Sequence, residues 1–143
     1  MSQPWIGWPS YKDYLAAKRY LATLTPKIYN GRLAGFTTNI PGIVGGGSRS
    51  KIVYTVYISL NNCPIQPPEA WITYPQDHMI KHRNIYHPGG GRPQVRLELP
   101  LLCLGEYIDK WTSGTLGRGA NFLSFILQIK EALSKENPAS PAR

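Results

Sequence analysis

Two cysteines and three histidines are the residues of this chain best equipped to do chemistry. His78 and His82 stand four positions apart, with His87 beyond them. On a helix that spacing places two imidazoles on one face and suits a metal ion. Pro75 precedes the pair and no full ligand set is evident around it, so these read as loop histidines and no metal site is expected. Cys63 and Cys103 lie forty positions apart and form no Cys-x-x-Cys pair. They cannot build a disulfide framework, and a reducing compartment is the simpler expectation. Cys103 sits in Leu99-Pro100-Leu101-Leu102-Cys103-Leu104-Gly105. As a thiolate it could attack a carbonyl or a thioester. A cysteine among leucines is more often core packing than a nucleophile, and no His or Asp at a set spacing marks an activating base. On the residues alone both readings stay open.

The elements that must position these residues follow from periodicity. Residues 10–25 read as a helix: Ser10 and Asp13 fit a capping box, and Tyr14, Ala17, Leu21 and Leu24 share one face. Pro26 is expected to stop it. Arg32–Ile40 reads as a short strand ending at Pro41-Gly42, and Gly45-Gly46-Gly47-Ser48 as a turn. That glycine run is no Walker A loop, because no Lys-Ser/Thr pair follows it. Lys51–Leu60 gives the clearest alternation, with Ile52, Tyr54, Val56, Ile58 and Leu60 on one face. Ala70–Tyr74 reads as another strand. From Tyr74-Pro75 to Pro100 the chain is loop-rich, with a second triple glycine at Gly89-Gly90-Gly91. A C-terminal helix is expected over Asn121–Lys135, burying Phe122, Ile126, Ile129 and Leu133 and broken by Asn137-Pro138. The expectation is an α+β fold: an N-terminal helix, an antiparallel meander sheet, an active-site loop region and a C-terminal helix.

The 143 residues suit a single domain, 1–143, large enough to bury a core without staples. No apolar run reaches membrane-spanning length and no signal peptide is evident, so a cytoplasmic protein away from the membrane is expected. The formal net charge is +8. Through residue 60 there are seven basic residues, among them Lys12, Lys18 and Arg19, against the single acid Asp13. A basic face attracts an acidic partner or a phosphate backbone. Basic residues interleaved with aromatics can track a nucleic-acid strand, but no RRM, KH or zinc-finger pattern appears, and nucleic acid is the lesser expectation.

Four landmarks occur in an order that resembles the ubiquitin-conjugating enzyme family. Pro64-Ile65-Gln66-Pro67-Pro68-Glu69-Ala70 resembles its Tyr-Pro-x-x-Pro-Pro turn into a strand. Ile85-Tyr86-His87-Pro88 resembles the opening of its His-Pro-Asn motif. Cys103-Leu104-Gly105 with Trp111 resembles the active-site Cys-Leu-Asp and its following tryptophan, and Asn137-Pro138 the Asn-Pro after its second helix. The resemblance covers roughly residues 64–141. It departs where Gly89 stands in place of the motif's asparagine, and in the sixteen positions from His87 to Cys103, several more than is usual. Short, divergent versions of this kind resemble bacterial conjugating enzymes found beside activating enzymes and JAB-type peptidases, several linked to phage defence.

The resemblance implies a ubiquitin-conjugating-enzyme-like fold in which Cys103 takes a ubiquitin-like protein from an activating enzyme as a thioester and passes it to a target amine, without a cofactor. It implies a loop-shaping role for His87, packing for Trp111, and a gate for the incoming amine at Ser140. A backbone N–H from Gly89–Gly91, or Asn84, would replace the missing oxyanion donor. The basic first helix, through Lys12, Lys18 and Arg19, would dock the activating enzyme. A catalytically inactive variant that only binds a ubiquitin-like protein or a partner enzyme is the alternative.

Overall fold

The computed structural model describes residues 4–88, 99–138 and 140. Helix α1 spans Tyr11–Lys18, and the Ser10 hydroxyl caps it by accepting the Asp13 N–H at 3.2 Å. The helix is shorter than its periodicity predicts. After Lys18 the backbone tightens: Tyr20 and Leu21 donate to the carbonyls of Ala17 and Lys18 at 3.0 and 3.2 Å. Two β-branched threonines then turn toward the sheet. Thr23 Oγ1 lies 2.8 Å from Thr38 Oγ1 and accepts the Asn39 N–H at 2.9 Å. Leu21 and Leu24 are buried all the same, so the periodic stripe marked burial that a turn, not a helix, delivers.

Pro26 does not stop a helix; it belongs to strand β1, Thr25–Tyr29. This strand lies at the edge of the sheet, where a missing N–H costs little. Asn30 and Gly31, with φ of 51° and 75°, make a two-residue turn into strand β2. Strand β2 spans Arg32–Gly45 and runs straight through Pro41-Gly42, past the stop expected at Ile40. Pairing with β1 ends at Thr37, so β2 is itself an edge at Pro41. Gly46 and Gly47, with φ of 62° and 93°, close the hairpin into strand β3, Ser48–Ser59. Strand β4 spans Glu69–Tyr74, β5 Ile85–Tyr86 and β6 Leu101–Leu102. Together they form a six-stranded antiparallel sheet ordered β1-β2-β3-β4-β6-β5.

Helix α2, Glu106–Thr112, follows the Cys103 segment and was not anticipated; helix α3 spans Phe122–Ser134. The fold is therefore α+β, with three α-helices and this sheet among the described residues. Asn121 caps α3 by accepting the Ser124 N–H at 2.8 Å. Phe122, Phe125, Ile126, Ile129 and Leu133 are all fully buried, each contributing about 1.5–3 kcal/mol by leaving water. They meet Phe36, Ile40, Tyr54, Val56, Ile58 and Ile72 on one face of the sheet. Between the layers the Phe36 ring lies 5.5 Å from Tyr14 of α1 and 4.9 Å from Phe122 of α3. No described helix is long and apolar enough to cross a membrane.

Candidate active site

Cys103 is the first residue past β6, and three contacts fix its place. The Asn84 carbonyl accepts the Cys103 N–H at 2.6 Å. Strand pairing sets Ile85 against Leu102 and Tyr86 against Leu101, so the Ile85-Tyr86-His87-Pro88 segment runs beside the approach to the cysteine. Gly105 then turns the chain away into α2, with φ 58° and ψ −133°. A side chain would be strained there, which accounts for glycine at this position of Cys-Leu-Gly. Trp111 of α2 is buried and donates its Nε1–H to the Pro64 carbonyl at 2.8 Å, tying α2 to the Pro64–Ala70 turn.

Asn84 is the hub of this arrangement. Its Nδ2 donates to the carbonyls of Ala132 and Lys135 at 2.9 and 3.0 Å. Its Oδ1 accepts the Asn137 N–H at 3.1 Å. The side chain thus satisfies the carbonyl end of α3 and holds the Asn137-Pro138 break in place. An Asn84 amide spent in this way does not supply the oxyanion donor expected of it; its part is to position Cys103 through the backbone.

His82, which the sequence offers only as a loop histidine, and Glu136, which no sequence motif marks, complete the junction. The His82 ring is fully buried. Nδ1 accepts the Asn84 N–H at 3.2 Å, which leaves Nε2–H to donate to the Leu133 carbonyl at 3.1 Å. Burial pushes the imidazole below its ordinary range, and the Leu133 bond and the Glu136 charge only partly offset this. Glu136 accepts N–H bonds from Gly46 at 2.6 Å, Gly47 at 3.2 Å and Arg83 at 2.8 Å. Burial alone would raise its carboxyl, but these donors and His82 outweigh it and hold the group below the usual range. The carboxylate therefore links the β2–β3 hairpin tip to the segment leading to Asn84.

Two grooves meet at Cys103-Leu104-Gly105. One, of about 390 Å³, is lined by Cys103, Asn84, Gln128, Asn137 and the buried Ser140. The other, of about 430 Å³, runs past Pro68, Tyr86 and Ile108. The half-exposed Cys103 thiol makes no hydrogen bond among the described residues. Cys63 is different: burial, with the neighbouring Glu69 charge, pushes its thiol up to about 12, so it is no nucleophile near neutral pH.

The structure brings Cys103, Asn84 and Ser140 to one groove and places His87, Lys12, Lys18 and Arg19 elsewhere. His87 Nδ1 pairs with Asp77 at 3.0 Å, and His78 is exposed on the turn Asp77–Met79. His78 and buried His82 therefore share no helix face, and among the described residues no group of three His, Cys, Asp or Glu could hold a metal. Lys12 and Arg19 are exposed on and just after α1. Lys18 is half-buried, donating to the Leu24 carbonyl at 3.2 Å with its ammonium 5.6 Å from the Tyr14 ring. Gly89 lies outside the described residues, as do Gly90 and Gly91. No family model, curated protein or solved structure matches the chain.

Proposed function

We propose that the chain is a ubiquitin-conjugating-type acyl carrier. The Cys103 thiolate attacks the thioester carbonyl on an activating enzyme, that enzyme's thiolate leaves, and the ubiquitin-like protein is held on Cys103. A target amine then attacks the new thioester. The amide bond forms, the Cys103 thiolate leaves, and the amine's proton passes to solvent. Cys103 carries the acyl group, Asn84 positions it, and Ser140 borders the groove through which the amine would approach.

The observation carrying this reading is the convergence on one half-exposed cysteine of landmarks far apart in sequence. The Pro64 turn meets Trp111, Ile85-Tyr86 pairs with the strand before Cys103, and Asn137 bonds to Asn84. Core packing alone would not require that thiol to open onto two grooves.

One observation favours the alternative of a non-catalytic binding module. The Asn84 amide is fully engaged and Gly89 offers no side chain, so neither of these two positions supplies an amide donor to an oxyanion. One lost donor costs about 10²–10³ in rate. The carrier reading therefore expects fast charging and slow transfer to free amines.

The test is a charging assay with activating enzyme, ubiquitin-like protein and ATP, run on a non-reducing gel beside Cys103→Ala. A reductant-sensitive adduct absent from the variant is the expected result. No adduct, with the activating enzyme itself charged, would leave the binding module as the better account.

A further inference from the structure

A cationic groove lies beside the cysteine grooves and takes no part in the proposed transfer. Arg49 and Lys51 of β3, Arg83 and Lys135 line a groove of about 750 Å³ between the β2–β3 hairpin and the end of α3. Its walls add the hydroxyl residues Ser48 and Ser134. Among the described residues the only carboxylate lining it is Glu136, which is turned onto the backbone N–H groups of Gly46, Gly47 and Arg83. Among the described residues Arg49, Lys51 and Arg83 form no ion pair, and Lys135 meets only Glu131, one turn back on its own helix, at 3.3 Å.

We propose that this groove docks an acidic peptide segment of a partner protein. Arg49, Lys51 and Arg83 without ion partners, with Lys135 beside them, give the cleft a positive field that an anionic partner neutralises. The two guanidinium groups suit carboxylates, which they bind in forked pairs. The charges come from β3, from the segment before β5 and from the end of α3, and so suit an extended chain rather than a single small anion. A nucleic-acid strand fits less well. No aromatic lines this groove, and strand-tracking grooves add aromatic platforms for the bases. Lys135 and Glu136 also line the Cys103 groove, so a peptide seated here would lie beside the thiol. Docking itself requires no transfer chemistry and is measured without it.

The experiment is fluorescence anisotropy on the full chain with a labelled peptide alternating Glu and Ser, at low and at moderate salt. The comparison proteins are Arg49→Ala/Lys51→Ala and the surface control Lys27→Ala/Arg118→Ala, two exposed positions away from the groove, each checked for folding by circular dichroism. Micromolar binding is expected, weakened at least tenfold by the groove substitutions, untouched by the control, and falling with salt. Binding insensitive to Arg49 and Lys51, or no binding at all, overturns the proposal. So does displacement of the peptide by equimolar inorganic phosphate, or tighter, Arg49- and Lys51-dependent binding of a labelled single-stranded oligonucleotide. If the groove is first shown defective because Arg49→Ala/Lys51→Ala misfolds, Arg83→Gln supplies the same comparison from another element.

Discussion

The carbonyl of Asn84 holds the N–H of Cys103 at 2.6 Å while the Asn84 side chain holds the end of α3. One residue thereby couples the position of the proposed nucleophile to the helix that walls its groove. Asn84→Ala removes three side-chain hydrogen bonds and leaves the Ala132 and Lys135 carbonyls without that donor. Its expected cost is about 1–3 kcal/mol, read as a lower urea midpoint. Asn84→Asp should cost more near neutral pH, because a carboxylate would face two carbonyl oxygens. An Asp variant as stable as wild type would contradict this account of the amide.

Acid should loosen the same junction, and the sign follows from the two groups there. His82 is held neutral, with its folded value below the ordinary 6.5. Below pH 6.5 the unfolded chain takes up a proton that the folded ring refuses, so stability falls as pH drops from there toward the folded value. Glu136 sits below its ordinary 4.5, and its contribution is present above that pH and lost as pH falls through the folded value. The two losses add. Urea midpoints measured between pH 7 and 5 should decline in wild type and decline less in His82→Gln, which cannot titrate. Equal slopes in the two proteins would remove His82 from the explanation.

Parts of this structure were readable in the sequence because their causes are local. Asn121 and the stripe Phe122, Ile126, Ile129 and Leu133 announced α3, and the alternation from Ile52 to Leu60 announced β3. Asn30-Gly31 is an equally local hairpin signal, a pair of positive-φ residues between β1 and β2. The positioning network was not legible. The partner of His82 lies 51 residues away, and the Glu136 contact with Gly46 spans 90. Both depend on the end of α3 arriving over the β2–β3 hairpin, which no spacing rule reports. Cys103 is ambiguous in the sequence, because a leucine-flanked cysteine looks the same in a core and at a groove.

Gly42 tests how closely that helix end rests on the sheet. A Cβ built there would lie 2.5 Å from the Leu133 carbonyl oxygen, whose lone pair His82 also occupies. Neither partner can yield without moving α3 or the junction. Gly42→Ala should therefore destabilise the protein by about 1–3 kcal/mol through overpacking. Gly119→Ala is the control, since its nearest neighbour in the same test is Leu116 Cβ at 3.9 Å. Thermal denaturation of the two variants should separate them clearly. A neutral Gly42→Ala would mean that α3 has room to slide.

The basic residues of α1 and its C-cap divide into a structural lysine and two solvent-facing cations, and the division predicts different phenotypes. Lys18 donates to the Leu24 carbonyl beside the Tyr14 hydroxyl, which bonds the same oxygen at 3.1 Å. Lys18→Glu should lower stability by about 1 kcal/mol, because the new carboxylate faces that carbonyl. Lys12 and Arg19 make no such contact, and reversing both should leave the melting temperature unchanged. If α1 receives the activating enzyme, Lys12→Glu/Arg19→Glu should slow Cys103 charging about tenfold, through loss of electrostatic steering, and flatten its salt dependence. Charging kinetics on matched amounts of folded protein make the comparison. Unchanged rates in the double reversal would detach α1 from the activating step, while Cys103 charging itself would stand or fall on the gel assay alone.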